Sequence, residues 1–149
     1  MYIENKIKQL EQLKKQLPTQ IKVIAQKNKK ELLDYIRIKQ LFEKGIDGLG
    51  NKLKPYKPFT VAVKRAQGKD PNIVTLEDTG AFYRGFDLLV TDQYSLGIFS
   101  RDIKTPDLVS KYGADIFTYT VENIKELETK IFIEQLTEWM LKQDAFTKL

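Results

Sequence analysis

Apolar residues recur along the first seventeen positions at spacings of three and four: Ile3, Ile7, Leu10, Leu13 and Leu17. That period gathers them into one stripe of an amphipathic helix, with lysine, glutamate and glutamine around the rest of the surface. Pro18 interrupts the stripe. Proline lacks a backbone N–H and its ring crowds the preceding turn, so the helix ends near Leu17 or bends there and continues. A second run, Ile21, Ile24, Leu32, Tyr35, Ile38, Leu41 and Phe42, again has helical spacing, with Lys22, Lys27, Lys29, Lys30, Arg37, Lys39 and Lys44 outside it. Gly45, Gly48 and Gly50 then supply a stop within a flexible turn. Residues 1–50 therefore read as a long N-terminal helix or a kinked helix pair.

The stretch 59–63 (Phe-Thr-Val-Ala-Val) reads two ways. Its β-branched alternation fits a strand, whereas Tyr56, Phe59 and Val63 are spaced for one face of a short helix. Pro55 and Pro58 fix an extended approach, and the balance falls on a short helix or an irregular segment. Gly68 through Asn72 carries strong turn chemistry. Phe82, Arg84, Phe86, Leu88 and Val90 then alternate with Tyr83, Gly85, Asp87, Leu89 and Thr91, which predicts a strand. Asp92-Gln93 reads as a tight turn and Tyr94 to Ser100 as the returning strand of a β-hairpin.

Thr105 reads as a helix cap with Pro106 at the first helical position, and Gly113 closes that short helix. Ile116 and Phe117 read as apolar plugs. Thr120 caps a last helix whose stripe is Ile124, Leu127, Ile131, Leu136, Trp139 and Met140. Glu122, Glu126, Glu128 and Glu134 lie opposite, and glutamates near the start favour the helix dipole. The expected fold class is α+β: the N-terminal helices, a small antiparallel hairpin and a closing C-terminal helix. Residues 1–149 are expected to form a single domain, with a helical part over 1–50 and the sheet and closing helix over 51–149.

Composition narrows the chemistry. Hydrophobic residues make up 42 % of the 149 and aromatics 11 %, enough for a packed core. Cysteine and histidine are both absent, which removes disulfides, thiolate nucleophiles and any histidine-dependent triad within this chain. Carboxylate pairs, lysine or tyrosine chemistry and oxygen-built cation sites are what remain. No apolar run approaches the roughly 18 residues of a membrane span. MYIENKIKQL has no apolar core of a signal peptide, so work in the cytoplasm is the expectation. The net charge of +5 conceals a gradient. Residues 1–69 hold 17 Lys/Arg against 6 Asp/Glu, and residues 70–149 hold 8 against 14. Such polarity fits two solvated faces, head-to-tail association of copies, or contact of the basic part with nucleic acid.

The candidate sites are few. Glu77 and Asp78 are adjacent, so in extended backbone they point apart and do not converge on one substrate. Asp78 is instead expected to bond local backbone, and Gly80 to supply an unusual φ where the strand begins. Asp102, Asp107 and Asp115 are spread over separate elements and lack the spacing of a cation loop. Gly45, Gly48 and Gly50 lack the lysine and hydroxyl of a phosphate loop. Lys22, Lys27, Lys29, Lys30 and Arg37 form a candidate basic interface, without aromatic residues interleaved for base stacking. No catalytic, cofactor-binding or metal-binding residue is singled out, and the chain is expected not to be an enzyme.

Gly50, Leu53, Pro55, Tyr56 and Thr60, followed by Lys64 and Gly68 and then by Leu76, Asp78, Thr79, Gly80 and Phe82, resemble the pattern of the bacteriophage virion-morphogenesis or tail-completion proteins. In that family a Thr-Gly block followed by an apolar residue opens the sheet after a long N-terminal helix. A late Tyr-Gly step, here Tyr112-Gly113, precedes the closing region, though this chain lacks the His or Glu that often stands beside that glycine. Asp78, Thr79, Gly80 and Phe82 are then the structural motif. The resemblance implies no catalysis and no cofactor. It implies a neck or tail position in the virion, a ring-like homo-oligomer, other virion proteins as partners, and assembly in the host cytoplasm without a membrane. The alternative reading is a small basic nucleic-acid-binding accessory protein.

Overall fold

The computed structural model describes residues 1–91 and 95–143. It is an α+β fold: a long N-terminal helix, an antiparallel hairpin and a C-terminal helix. Helix α1 runs over Tyr2–Lys27 without a break at Pro18. Of the two outcomes open at that proline, the helix continues. One missing N–H removes one hydrogen bond, and the downstream turns are held by packing, with Ile24 and Ala25 buried. Asn28 (φ −105°, ψ 17°) marks the joint to α2, Lys29–Asp34, which passes directly into a π-helical stretch, Tyr35–Phe42.

That wider turn decides which residues of the second stripe face inward. Leu32, Leu33, Tyr35, Ile36, Gln40 and Leu41 are buried, whereas Ile38 and Phe42, expected on the apolar face, are exposed. A further helical turn, α3, covers Pro58–Ala66, with Pro58 in its first turn and an extended Lys57 before it. The helical alternative at 59–63 is therefore the one adopted.

The hairpin is shorter than the alternation predicts. Ala81–Arg84 forms a single helical turn, α4, and strand β1 begins only at Phe86. Phe82 and Arg84 thus precede the strand. The left-handed Gly80 and the bonds from Arg84 N to Gly80 O and Gly85 N to Ala81 O close a turn there instead. Strands β1 (Phe86–Val90) and β2 (Leu96–Ser100) pair antiparallel with Phe86 opposite Ser100 and Val90 opposite Leu96. Phe86, Leu88 and Val90 are buried and Leu89 between them is exposed, the expected alternation. The predicted turn at Asp92-Gln93, and Tyr94, lie outside the described residues.

Helix α5 spans Thr105–Tyr112 and stops at Gly113 (φ 90°). Its N-cap is Lys104, one position before the expected Thr105, because the Asp102 carboxylate accepts from Lys104 N at 2.8 Å and sets the turn earlier. Ile116 is fully buried in the short 3₁₀ turn Ala114–Phe117. Thr120 does cap the closing helix, its hydroxyl accepting from Asn123 N at 3.2 Å. That helix consists of α6 (Val121–Leu127), a π-helical stretch (Glu128–Ile133) and α7 (Glu134–Leu141). Leu127 and Ile131 enter the core, Leu136 packs against it, and Trp139 and Met140 are half-buried.

One core joins residues from both parts of the chain, from Ile24 to Ile131. Phe82 is at its aromatic centre, edge-on to Phe86 at 5.0 Å and 5.9 Å from Phe117. The closing helix is tied to the joint at Asn28, which exchanges two amide hydrogen bonds with Gln135. Tyr119 donates to Leu32 O at 2.8 Å, and burial pushes its hydroxyl well above the usual tyrosine range.

Ion pairs cross the sequence gradient. Asp87 on β1 receives Lys29 at 2.6 Å and Arg101 at 2.7 Å. These hydrogen bonds hold its carboxyl far below the usual carboxylate range. A depressed folded-state pKa stabilises the fold above the unfolded value, about 3.9, and that contribution is lost as pH falls further. Asp87→Asn is expected to cost about 1 kcal/mol at neutral pH. Denaturation midpoints followed below about pH 5 are expected to fall more steeply for the parent chain than for the variant. Parallel curves would show that the pairing contributes nothing.

Candidate functional site

The residues singled out in the sequence fall at three places. The first is a cleft of about 290 Å³ between α3 and α5, floored by the segment Leu76–Phe82. All four motif residues line it or its floor: Asp78, Thr79, Gly80 and Phe82. Gly80 has φ 82°, the left-handed region that glycine reaches without steric cost. Thr79 flanks that turn from both ends, its hydroxyl accepting from Ala81 N at 3.3 Å and its carbonyl from Arg84 at 3.1 Å. Asp78 differs from the expectation. Its carboxylate lies 3.5 Å from Lys104 across the cleft, and its carbonyl, not its side chain, accepts from Lys69 at 2.6 Å. Glu77 pairs with Lys69 at 3.0 Å, so the two neighbouring acids are held by different lysines and do not converge.

Two features of the cleft were not legible in the sequence. Leu76 is the one described non-glycine residue at positive φ, 58°. That conformation costs on the order of 1–3 kcal/mol and persists only where its surroundings impose it. They do so from both sides. The Tyr83 hydroxyl donates to the Thr75 carbonyl, and Lys64 Nζ donates to the Glu77 carbonyl at 2.5 Å. Burial, aided by the Glu77 charge, pushes the Tyr83 hydroxyl far above its ordinary value, so it stays a donor at any physiological pH.

The second feature is the inversion of α3. This helix buries Lys64, only 8 % exposed, and turns its apolar Phe59 and Val63 outward to the cleft. Besides the Glu77 carbonyl, Lys64 Nζ lies over the Tyr56 ring, 5.3 Å from its centroid. No carboxylate of the described residues pairs with this buried ammonium.

The second place is the basic run, and the fold does not present it as one patch. Lys29 pairs with Asp87, Lys30 with Asp34 at 2.6 Å, and Arg37 with Asp34 at 2.5 Å and with the Tyr83 carbonyl at 3.1 Å. Burial opposes ionisation of Asp34, yet its hydrogen bonds from Lys30 and Arg37 prevail and lower its pKa. Lys27 is exposed at the end of α1, and Lys22 is exposed one turn earlier.

The third place is the outer part of α1. At about 1.5 Å per residue the 26-residue helix is about 39 Å long, and only its later turns are well covered. Ile3, Ile7 and Leu10 are 70 %, 51 % and 46 % exposed, and none of residues 1–12 is buried. The apolar stripe predicted for α1 is therefore real, but its first three members stay exposed among the described residues.

No group of three or more acidic side chains able to hold a metal ion occurs among the described residues. Asp102, Asp107 and Asp115 stay on separate elements, the Asp102 carboxylate serving the turn before α5. Among those residues no helix is long and apolar enough to cross a membrane. No family model, curated protein or solved structure matches this chain.

Proposed function

We propose that this chain is a structural protein of the bacteriophage neck or tail, a tail-completion or head–tail connector component that acts by protein–protein assembly. The observation that carries the reading is the apolar ridge of α1, exposed among the described residues. Three large aliphatic side chains exposed in successive turns of one helix are the signature of a surface that a partner covers. The order of elements supports it too, with the Asp78-Thr79-Gly80-Phe82 block seated between a long N-terminal helix and the sheet, as the resemblance implies. Copies of the chain and other virion proteins are the partners, and the site of action is the virion, assembled in the host cytoplasm. The nucleic-acid alternative has less behind it, because Lys29, Lys30 and Arg37 are each bound to a carboxylate of the same chain.

Phage particles made without this chain are expected to accumulate as heads and tails that do not join in electron micrographs. Normal infectious particles would overturn the reading. For the purified protein, native mass spectrometry is expected to show a discrete oligomer that Ile7→Glu converts to monomer. The substitution places a charge on a half-exposed ridge position, so folding, read by circular dichroism, is expected to be unchanged. A parent chain that is monomeric, or an oligomer that ignores Ile7→Glu, would remove the ridge from the assembly surface.

A further inference from the structure

We infer that the ridge of one copy docks into the α3–α5 cleft of the next, a head-to-tail contact between two different surfaces of the same chain. This rests on the assembly reading above and names its partner surfaces. Ile3, Ile7 and Leu10 are spaced i, i+4, i+7, the anchor pattern of a helix laid into an apolar groove. The cleft offers the matching surface in Phe59, 81 % exposed, with Val63 and Leu108 along its walls.

Charge supports the same pairing. Helical spacing of 100° per residue puts Glu4 and Glu11 together on one flank of the ridge, beside Ile7, with Lys8 and Lys15 next to them, a mixed-sign flank facing a mixed-sign cleft. Among the described residues Glu4 pairs with the terminal ammonium, at 3.8 Å, and Glu11 has no partner. The cleft holds Lys64, buried without a carboxylate, and Lys104, whose link to Asp78 is long and 60 % exposed on each side. A carboxylate arriving with an apolar helix would supply what Lys64 lacks among the described residues of its own chain, where a buried cation without a counter-charge is the costly state.

A ridge-to-cleft contact is heterologous. It leaves one free ridge and one free cleft at the ends of any open chain of copies, and so closes only as a ring.

The test uses two full-length variants, each disabling one surface. Ile7→Glu removes the ridge and keeps the cleft; Phe59→Glu removes the cleft wall and keeps the ridge. Both positions are exposed, and circular dichroism verifies that each variant folds. Each alone is expected to be monomeric by native mass spectrometry. An equimolar mixture is expected to form a one-to-one dimer of twice the monomer mass and nothing larger, because only one good ridge and one good cleft meet. As the chain has no cysteine, mixing Ile7→Cys with Phe59→Cys chains under mild oxidant is expected to give a heterodimeric disulfide. A mixture that stays monomeric, or a Phe59→Glu variant that keeps the parent oligomer, overturns the inference. If that happens while particles lacking the chain still fail to join heads to tails, the assembly reading survives and only the docking is wrong. Normal particles without the chain would overturn both.

Discussion

Gln40→Leu is expected to destabilise the fold by about 3 kcal/mol, because it leaves several buried polar groups without partners. Gln40 is 1 % exposed in the π-helical stretch, amid apolar neighbours. Its amide donates to Thr118 O at 2.9 Å, and its oxygen accepts from Thr120 N at 3.0 Å and Asn123 Nδ2 at 2.8 Å. One side chain thus holds the chain reversal that launches the closing helix, 80 residues away in sequence. Leucine would gain some apolar burial, but a buried backbone N–H or C=O without a partner costs about 1–3 kcal/mol. In a chain of this size about 3 kcal/mol lowers the melting temperature by roughly 10 °C. Urea denaturation is the direct measurement. A loss under about 1 kcal/mol would mean that water replaces the amide, and that the network contributes little.

Gly48→Ala is expected to cost a similar amount for a different reason. Gly48 N donates to Asp115 O at 2.9 Å, which brings the loop after the second helix against the 3₁₀ turn. A Cβ there would lie 1.8 Å from Thr118 Oγ1 and 2.6 Å from Thr118 O. The hydroxyl can rotate away, but the carbonyl is backbone and is the one that Gln40 binds. Relief therefore means moving the 114–117 turn or breaking the Gln40 bond, and overpacking of this kind costs about 1–3 kcal/mol or more. Thr118→Ala should not rescue the variant, since the carbonyl clash remains. Because the two sites share Thr118 O, the double variant Gly48→Ala/Gln40→Leu is expected to lose less than the sum of the singles. Strict additivity in denaturation experiments would show that the two do not act on the same carbonyl. Gly50 is the natural control. A Cβ there meets nothing within 4 Å, so alanine is penalised only by the positive φ of 81°.

Periodicity identified the helices because it is a local property. The stripes of α1 and the closing helix, the Gly113 stop and the Thr120 cap all depend on residues a few positions apart. Where pattern and structure part, a contact outside the pattern prevailed, in two of three places a long-range one. The alternation of Phe82 and Arg84 belongs to no strand, because Phe82 is turned into the core against Phe117, 35 positions later in sequence. The Thr105 cap moved back one place because the Asp102 carboxylate had its own bond to make. Ile38 and Phe42 left the apolar face when the helix widened to π geometry around Gln40, whose partners lie in the closing segment.

By itself the sequence determined the N-terminal and closing helices and the hairpin, the α+β class, the absence of histidine and cysteine chemistry, and the Asp78–Phe82 block as a feature of the fold. It also held the charge gradient, but not its fate. Only the tertiary structure pairs Lys29 with Asp87 and Lys39 with Glu126, offsetting part of that gradient within the chain. Only the tertiary structure uncovers Ile3, Ile7 and Leu10 while covering Ile24, and turns α3 so that lysine is buried and phenylalanine exposed. The reason is physical. A hydrophobic pattern specifies which residues favour leaving water, whereas cover must come from distant segments, and their arrival is settled by the packing of the whole chain.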